Sequence, residues 1–379
     1  MASAAEPTAR TQQRFTFVDA LRGVASLSVV FYHSAEGRHI TGVLALLPAW
    51  VTQVFKQGGL GVAVFFVLSG FVIAHSVAKS RVTFSFVGRF MLRRSIRLDP
   101  PYWLAIALVI ALAYVSAHLA GREQPHVSLA QIVAHILYLQ EILGYPGLNT
   151  VFWTLCQEVQ FYFVYVALLA LSRNDPTKPM QGRATALTFA AAALVSLLWP
   201  LGILVNGPFY GSFLPLWHGF LAGAAAYWAW RNPEYAIHCL AYIAVLLVAG
   251  LLRSDSFTIA CSLTAITLWA VAARGRLYSA LDWRWLQGLG AISYSLYLTH
   301  NPITAATFWV GYTLTGRTPF LEAIWWIITM AACIAFATLM WWLVERPSIN
   351  LARRIRLERA GSKSHAAADA STGRAVVPN

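Results

Sequence analysis

The first long apolar stretch of the chain, FTFVDALRGVASLSVVFYHSAEG, runs over residues 15–37 and carries Asp19, Arg22 and His33. Ionisable groups at the depth of a bilayer are expensive, so a chain that keeps them there usually has a use for them. Arg22 and His33 are eleven positions apart, and at about 100° per residue this separation returns almost to the same helical face. The rise between them is about 16 Å, roughly half of a hydrocarbon core. One helix would therefore carry a fixed cation near one membrane surface and a titratable base deep inside.

A structural explanation of these residues stays open beside the functional one. Asp19 precedes Arg22 by three positions, so their side chains share a helical face and could form an interior ion pair. His33 would then be an unrelated histidine that hydrogen-bonds a neighbouring helix. The functional interpretation follows from the tendency of ionisable residues inside a membrane to serve a site. It predicts Arg22 and His33 as catalytic residues.

A carboxylate in a later span is the predicted partner of His33. The segment NTVFWTLCQEVQFYFVYVALL carries Glu158, about eight residues or 12 Å in from its outer end. Counted against a hydrocarbon core of about 30 Å, Glu158 and His33 come to nearly the same depth. A carboxylate beside an imidazole orients the ring and raises its basicity, as a general base requires. We therefore predict Glu158 as the third catalytic residue; the alternative is a structural hydrogen bond to backbone or to a tyrosine.

Polar residues of three spans are predicted to bind a substrate, which is the group acceptor in the reaction predicted below. In LGAISYSLYLTHNPI, Tyr297 and His300 share a helical face, and His300 falls near mid-membrane. Ser69 lies in the small-residue span GGLGVAVFFVLSGFVIAHS, and Tyr162 lies in the same span as the predicted carboxylate. Each of these residues could instead complete the packing between helices. The predicted substrate-binding residues are His300, Tyr297, Tyr162 and Ser69.

Arginines cluster in the segment RFMLRRSIRLDPPYW, at the start of the third apolar span. Arg94 and Arg97 are three positions apart and so share a helical face. Guanidinium groups bind phosphate oxygens in bidentate fashion, which suits the polyphosphate of a nucleotide donor. The alternative is an anchor for anionic lipid. We predict that Arg93, Arg94 and Arg97 bind the donor together with Arg22.

Composition and apolar runs predict an all-α, polytopic membrane protein. Of the 379 residues, 58% are hydrophobic and 11% are charged, which leaves no soluble domain of useful size. The runs divide the chain into a disordered tail at 1–14, a transmembrane domain at 15–357 and a second disordered tail at 358–379. The ten predicted transmembrane helices lie near 15–36, 57–78, 101–120, 150–171, 184–205, 211–230, 236–252, 257–273, 288–311 and 321–344.

The distribution of basic residues predicts the orientation. With the N-terminus inside, 22 of the 28 Lys and Arg residues fall on the cytoplasmic side, and this asymmetry places both termini in the cytoplasm. The net charge of +13 therefore reports topology and not a nucleic-acid partner. The four cysteines lie inside apolar runs, without CxxC spacing or histidines at ligand spacing. Neither a disulfide framework nor a metal site is predicted.

These motifs together resemble the membrane-bound acyltransferase-3 family of bacteria. They stand in family order, cover most of residues 15–347 and are specific as a set. The resemblance implies about ten membrane helices, an acyl-CoA donor from the cytoplasm, and a catalytic His33 assisted by Arg22. One departure is Ala63, where many relatives carry an acidic residue. The matching segments are DALRGVASLSVVFYH, GGLGVAVFFVLSGF, RRSIRLDPPYW, FWTLCQEVQFYF, SYSLYLTH and the terminal ERP.

The predicted function is an O-acyltransferase of the bacterial inner membrane, surrounded by membrane lipid. It would move an acyl group, with acetyl favoured, from cytoplasmic acyl-CoA to a hydroxyl of an extracytoplasmic or lipid-linked saccharide. Acyl transfer needs a base for the hydroxyl proton, stabilisation of the tetrahedral oxyanion and a clamp for the donor. The alternative is a secondary transporter or glycan flippase in which His33 and Glu158 relay protons. The acceptor itself stays open.

Overall fold

The computed structural model describes residues 14–78, 80, 82–172, 182–355 and 357, and most of them are helical. The predicted tails at 1–14 and 358–379 lie outside these residues, apart from Arg14. No extended strand occurs in the described ranges, in agreement with the predicted all-α class. The α-helices, in chain order, are α1 (Thr16–Glu36), α2 (Thr41–Leu46), α3 (Ala49–Gln57), α4 (Gly61–Val77), α5 (Phe84–Leu119), α6 (Leu129–Ile136), α7 (Trp153–Ser172), α8 (Arg183–Ser196), α9 (Trp217–Arg231), α10 (Pro233–Arg253), α11 (Ser256–Ala273), α12 (Arg284–Thr315), α13 (Pro319–Met340) and α14 (Arg346–Arg354).

Each of the ten predicted spans contains a helix. Among the described residues, six helical segments are long and apolar enough to cross a bilayer. The protein is thus a multi-pass membrane protein, whereas the number of ten crossings and the cytoplasmic position of both termini remain predictions. The six segments are Ala49–Val77, Phe84–Leu119, Trp153–Ser172, Pro233–Arg253, Ser256–Ala273 and Pro319–Arg354.

Helix α5 begins well before the predicted span at 101–120. The Thr83 hydroxyl oxygen caps it by accepting a hydrogen bond from the Phe86 N–H at 3.2 Å. The helix then continues through Pro100 and Pro101. Prolines cannot donate a backbone hydrogen bond and usually mark a helix boundary, which is why the sequence suggested a later start. The arginines that precede them therefore stand on the same helix that enters the membrane.

Helices α4 and α9 touch backbone to backbone at two glycines. A Cβ atom at Gly70 would lie 1.8 Å from the Phe220 carbonyl oxygen, and one at Gly223 would lie 1.9 Å from that of Val67. Small residues permit this approach in a membrane, where van der Waals contact and not the hydrophobic effect holds helices together. The contact confirms that the small residues of α4 form a helix-packing surface.

Helices α1 and α12 also meet at glycines, and they run in the same direction. A Cβ atom at Gly290 would lie 2.2 Å from the Asp19 carbonyl oxygen, and one at Gly23 would lie 2.8 Å from the Gly290 nitrogen. Further along both helices the rings of His33 and His300 come into contact. Because the helices are parallel, residues that follow Gly23 on α1 and Gly290 on α12 by the same number of positions lie at the same height along the bundle.

The substitution Gly70→Ala should lower stability, because the added methyl group must push α4 away from α9. Overpacking of this kind costs about 1–3 kcal/mol and should lower the thermal unfolding midpoint in detergent. A thiol-reactive dye can report unfolding through the buried Cys156, Cys261 and Cys333. Gly88→Ala is the matched control, since a Cβ atom at this helical glycine meets nothing within 4 Å. Equal midpoints for the two variants would contradict the contact.

Candidate active site

A cavity near the start of α1, called the inner cavity below, gathers most of the charged residues that the sequence singled out. Its volume is about 30 Å³, enough for one or two water molecules. Three guanidinium groups and one carboxylate line it, so the excess positive charge favours an anionic ligand. Its polar lining residues are Arg22, Ser69, Arg94, Arg97, Glu158, Tyr162 and Tyr294.

Arg22 reaches the inner cavity from α1 with one nitrogen unpaired. Its Nε is buried and has no hydrogen-bond partner among the described residues. Asp19, the partner that the structural explanation required, instead accepts a hydrogen bond from Arg14 at 2.8 Å. A buried donor without an acceptor is unfavourable. A phosphate or carboxylate oxygen in the cavity would satisfy it.

Two of the three arginines predicted on α5 line the same cavity. The guanidinium carbon of Arg94 lies 4.5 Å from the ring centroid of Tyr162, and this cation–π contact orients it. Arg97 lies nearly one turn further along α5 and also lines the cavity. Arg93 is half-buried on the same helix but does not belong to the lining. The fold thus brings together Arg22, Arg94 and Arg97, and leaves Arg93 aside.

Glu158 supplies the carboxylate of the inner cavity. The hydroxyl groups of Ser69 and Tyr162 both donate hydrogen bonds to its Oε1. Ser69 comes from α4 and Tyr162 from α7, so these bonds also join two helices. Both hydroxyl residues were predicted to bind the acceptor together with His300. The structure instead places them beside the arginines.

The hydrogen bonds of Glu158 within the described residues run to Ser69 and Tyr162 and not to His33, so its predicted pairing with His33 stays a prediction. On α7, Thr154 already lies beside Tyr297, with their hydroxyl oxygens 2.7 Å apart. Tyr297 is nearly one turn before His300, and Glu158 is one turn beyond Thr154 in the opposite direction. Counted as backbone rise through this contact, Glu158 is about two turns, or roughly 11 Å, from His300. Depth counted from assumed helix ends could not reveal this offset.

His33 lies beside His300 instead, with ring centroids 5.2 Å apart. His300 is fully buried, and its Nδ1 is 2.8 Å from the Tyr297 carbonyl oxygen and 3.1 Å from that of Leu296. Nδ1 therefore carries the proton and donates, which makes Nε2 the acceptor. Within the described part of the chain, this Nε2 has no partner. His33 is half-buried, and its ring also meets that of Tyr32 at 5.0 Å.

Polar residues that sequence reasoning missed surround the outer end of this histidine pair. The side-chain amide of Asn301 donates to Asn149 Oδ1 at 3.1 Å and to Thr150 Oγ1 at 2.8 Å. Asn149 is buried, whereas Thr150 is exposed. The signal was available, since Asn301 directly follows His300 and the Asn-Thr pair stands at the start of the fourth predicted span. Only the fold shows that they meet.

A second buried carboxylate comes from the terminal ERP segment. Glu345 ends the π-helical turn Trp341–Glu345 and accepts hydrogen bonds from the Ser295 N–H at 3.2 Å and from its hydroxyl at 2.6 Å. Its charge interacts with those of Arg97 and Arg22. Glu345 therefore offsets part of the positive charge at the inner cavity. Sequence reasoning used ERP only as a motif and missed this role.

A comparison with known protein families identifies the chain. Residues 15–343 match a family model described as an acyltransferase domain. The chain belongs to the acyltransferase-3 family. This confirms the predicted family. Relatives named as O-acetyltransferases agree that the protein is an acyltransferase for groups other than aminoacyl groups. The transporter alternative is therefore set aside.

Relatives of this acyltransferase-3 protein carry several names. It is 29% identical over 361 residues to the "Putative membrane-bound transacylase BcsY" of Komagataeibacter xylinus, which covers 89% of this chain and 83% of that protein. It is 27% identical to nodulation protein 10 of Rhizobium leguminosarum bv. viciae, over 88% of this chain and 93% of that protein. Peptidoglycan O-acetyltransferase OatA of Listeria monocytogenes is 23% identical, over 87% of this chain and 55% of that protein. No solved structure matches the chain.

His135 fastens the outer loop that leads to Asn149. Its Nδ1–H donates to the Gln131 carbonyl oxygen at 2.8 Å, and its Nε2 accepts from the Leu148 N–H at 3.0 Å. The side chain is fully buried, and burial lowers the pKa of His135 below its ordinary value. Only the neutral ring makes both bonds, because a protonated Nε2 would face another donor.

Lowering the pH should therefore destabilise the protein through His135. The unfolded chain takes up a proton near the ordinary histidine pKa of about 6.5, while the folded state resists protonation. The stabilising contribution is thus present above that pH and is lost as the pH falls below it. His135→Gln should reduce stability at pH 8 by about 1–3 kcal/mol, yet lose less than the wild type on transfer to pH 5. Unfolding midpoints in detergent at both pH values test this, and equal losses would contradict it.

Proposed function

We propose that this acyltransferase moves an acyl group, with acetyl favoured, from a cytoplasmic acyl-CoA to a hydroxyl of an extracytoplasmic or lipid-linked saccharide. The proposed location is the bacterial inner membrane. The observation that supports the proposal most is the placement of Arg22 and His33 on one helix. Arg22 lines a cationic cavity, and further along the same helix His33 meets a second buried histidine.

The inner cavity is the proposed phosphate site for the CoA donor. Arg22, Arg94 and Arg97 present their guanidinium groups to it, and the buried Nε of Arg22 lacks an acceptor within the described residues. Planar guanidinium groups suit the bidentate binding of phosphate oxygens. The cavity volume of about 30 Å³ is smaller than a nucleotide. We therefore expect the nucleotide to bind at the cavity mouth, with its phosphates between the arginines.

An aromatic pair separates the inner cavity from the histidines. Phe65 lines the cavity and packs edge-on against Tyr297, with ring centroids 5.4 Å apart. The Tyr297 ring in turn lies 6.1 Å from that of His300. The rise from Arg22 to His33 is about 16 Å, of the same order as an extended pantetheine arm. Displacement of Phe65 would let the thioester reach His33 while the phosphates stay on the arginines.

His33 is the proposed general base for the transfer. One ring nitrogen of His33 takes the proton of the acceptor hydroxyl while the hydroxyl oxygen attacks the thioester carbonyl carbon. The carbon–sulfur bond then breaks, and the leaving thiolate takes that proton from His33. The products are one ester and one thiol, and His33 returns to its neutral state.

A saccharide acceptor is supported by a relative's name and by the polar groups near His300. Listeria OatA, which shares 23% identity, is named a peptidoglycan O-acetyltransferase, and peptidoglycan carries sugar hydroxyls. In this chain, Thr150 is exposed and Asn301 is half-buried beside it. Hydroxyl and amide groups both donate and accept hydrogen bonds, so this pair suits the hydroxyls of a sugar.

Replacing Arg94 and Arg97 together by Ala should raise the acyl-CoA KM by about tenfold or more, because their phosphate contacts hold the donor. The measurement is transfer of labelled acetyl from acetyl-CoA by the purified protein in proteoliposomes. Arg89→Ala is the matched control, since Arg89 lies on the same helix but bonds Ser85 and is outside the cavity lining. A double variant that loses only expression and keeps its KM would favour lipid anchoring instead.

The variant His33→Ala should lose about 10²–10⁴-fold in kcat while the protein still inserts and folds. Mass spectrometry of surface glycans should show added acyl mass in cells that produce the wild type and none with the variant. His118→Ala is the control, because His118 is exposed near the end of α5. Substantial turnover by the folded His33→Ala variant would contradict the role of His33 as the general base. Glycans that the wild-type protein leaves unchanged would contradict the saccharide acceptor.

A further inference from the structure

We propose that His300 is the positioning residue for His33: its Nε2, unpaired among the described residues, accepts a hydrogen bond from the ring N–H of His33 when the two neighbouring rings turn their nitrogens toward each other. The inference rests on the proposed function, in which His33 is the general base. It assigns to a second histidine the orienting role that sequence reasoning gave to Glu158. Three observations support it: the tautomer of His300, its unsatisfied nitrogen, and the ring that faces that nitrogen.

The helix around His300 determines its tautomer. Nδ1 lies within hydrogen-bond distance of the carbonyl oxygens of Leu296 and Tyr297, and carbonyl oxygens only accept. Nδ1 must therefore carry the proton, so Nε2 presents a lone pair. The ring is fully buried, and this nitrogen has no partner among the described residues. Nε2 is thus a hydrogen-bond acceptor without a donor among the described residues.

The ring of His33 is the group placed to supply that donor. The two ring centroids lie 5.2 Å apart with 40° between the planes, close enough for a direct hydrogen bond when the nitrogens face each other. Tyr297, the other neighbouring ring with a donor, has its hydroxyl 2.7 Å from that of Thr154 and 3.3 Å from the Val151 carbonyl oxygen, which accepts from it. His33 itself is only half-buried, so part of its side chain stays accessible.

A second buried histidine differs from His300 in which of its ring nitrogens has a partner. His218 on α9 is also buried, and its Nε2 lies 3.0 Å from the hydroxyl of Thr258 on α11. The corresponding nitrogen of His300 has no such hydroxyl in the described residues. What faces it is the imidazole of the proposed base. Because Nδ1 of His218 is itself unpaired among the described residues, an unpaired nitrogen alone does not mark a positioning role; the neighbouring ring of His33 makes the distinction.

The proposed bond decides which nitrogen of His33 acts. The nitrogen that faces His300 keeps its proton, so the other nitrogen presents its lone pair to the acceptor hydroxyl. When that nitrogen takes the hydroxyl proton, His33 becomes an imidazolium, and its hydrogen bond to a neutral imidazole stabilises the charge. The proton then leaves on the thiolate. The proton between the two rings never has to move.

Two substitutions of His300 test the role. His300→Phe keeps the ring and removes the acceptor, so kcat should fall roughly a hundredfold while the acyl-CoA KM stays within about twofold. His300→Gln places an amide oxygen near the position of Nε2 and should recover about tenfold of that loss. His218→Gln, a matched change at the other buried histidine, should keep the wild-type kcat. Transfer from labelled acetyl-CoA in proteoliposomes gives both constants.

The reactivity of His33 separates positioning from a merely structural role. Diethyl pyrocarbonate modifies neutral imidazole, and mass spectrometry of the peptide reports the rate at His33. His300→Phe should slow this rate about tenfold without a matching change in the unfolding midpoint. Wild-type kcat and wild-type His33 reactivity in folded His300→Phe would overturn the proposal.

A variant that does not fold still leaves a decisive comparison. If His300→Phe is unstable, His300→Asn serves instead, because its shorter amide withdraws the oxygen from the position of Nε2. A higher kcat for His300→Gln than for His300→Asn supports the hydrogen bond, and equal values overturn it. Failure of the proposed function would look different, since His33→Ala would then remain active. An inactive His33→Ala with a fully active His300→Phe would overturn only the present inference.

Discussion

The backbone contact between α1 and α12 is the constraint on which both functional regions depend. At Gly290 a Cβ atom would lie only 2.2 Å from the Asp19 carbonyl oxygen, so no larger residue permits this approach. The contact holds the two helices at one relative height. Arg22, next to this contact, is thereby held at the inner cavity. About three turns further along the same pair of helices, His33 meets His300.

Charge balance shapes the inner cavity. Arg22, Arg94 and Arg97 line it, and uncompensated charges inside a bundle are unfavourable. Two carboxylates reduce the excess: Glu158 within the lining and Glu345, whose charge interacts with those of Arg97 and Arg22. The three guanidinium groups still outnumber these carboxylates, and one nitrogen of Arg22 is unpaired among the described residues. A cavity of this kind is built for an anion, which is the physical basis for placing the donor phosphates there.

Packed side chains separate the inner cavity from the histidine pair. Phe65 and Tyr297 stack edge to face between the arginines and the histidines, and the hydroxyl of Tyr297 is held by Thr154. The proposed donor site and the proposed base therefore occupy different heights of the bundle. In the proposed reaction, this separation lets a cytoplasmic donor and an external acceptor approach the same histidine from opposite directions.

The sequence by itself determined the fold class, the ten helical segments, the family and the shared helical face of Arg22 and His33. The family followed from the resemblance of the motifs. The other properties follow from composition and from periodicity within each helix, where 3.6 residues per turn relate the positions to one another. The sequence did not predict the start of α5 correctly. Pro100 and Pro101 resemble a helix boundary, although the helix continues through them. The periodicity of one helix gives no information about its position beside another helix, because the relative height and the relative rotation of the two helices do not depend on it. Only the tertiary structure therefore decided that Glu158 bonds Ser69 and Tyr162, and that His300 is the ring beside His33.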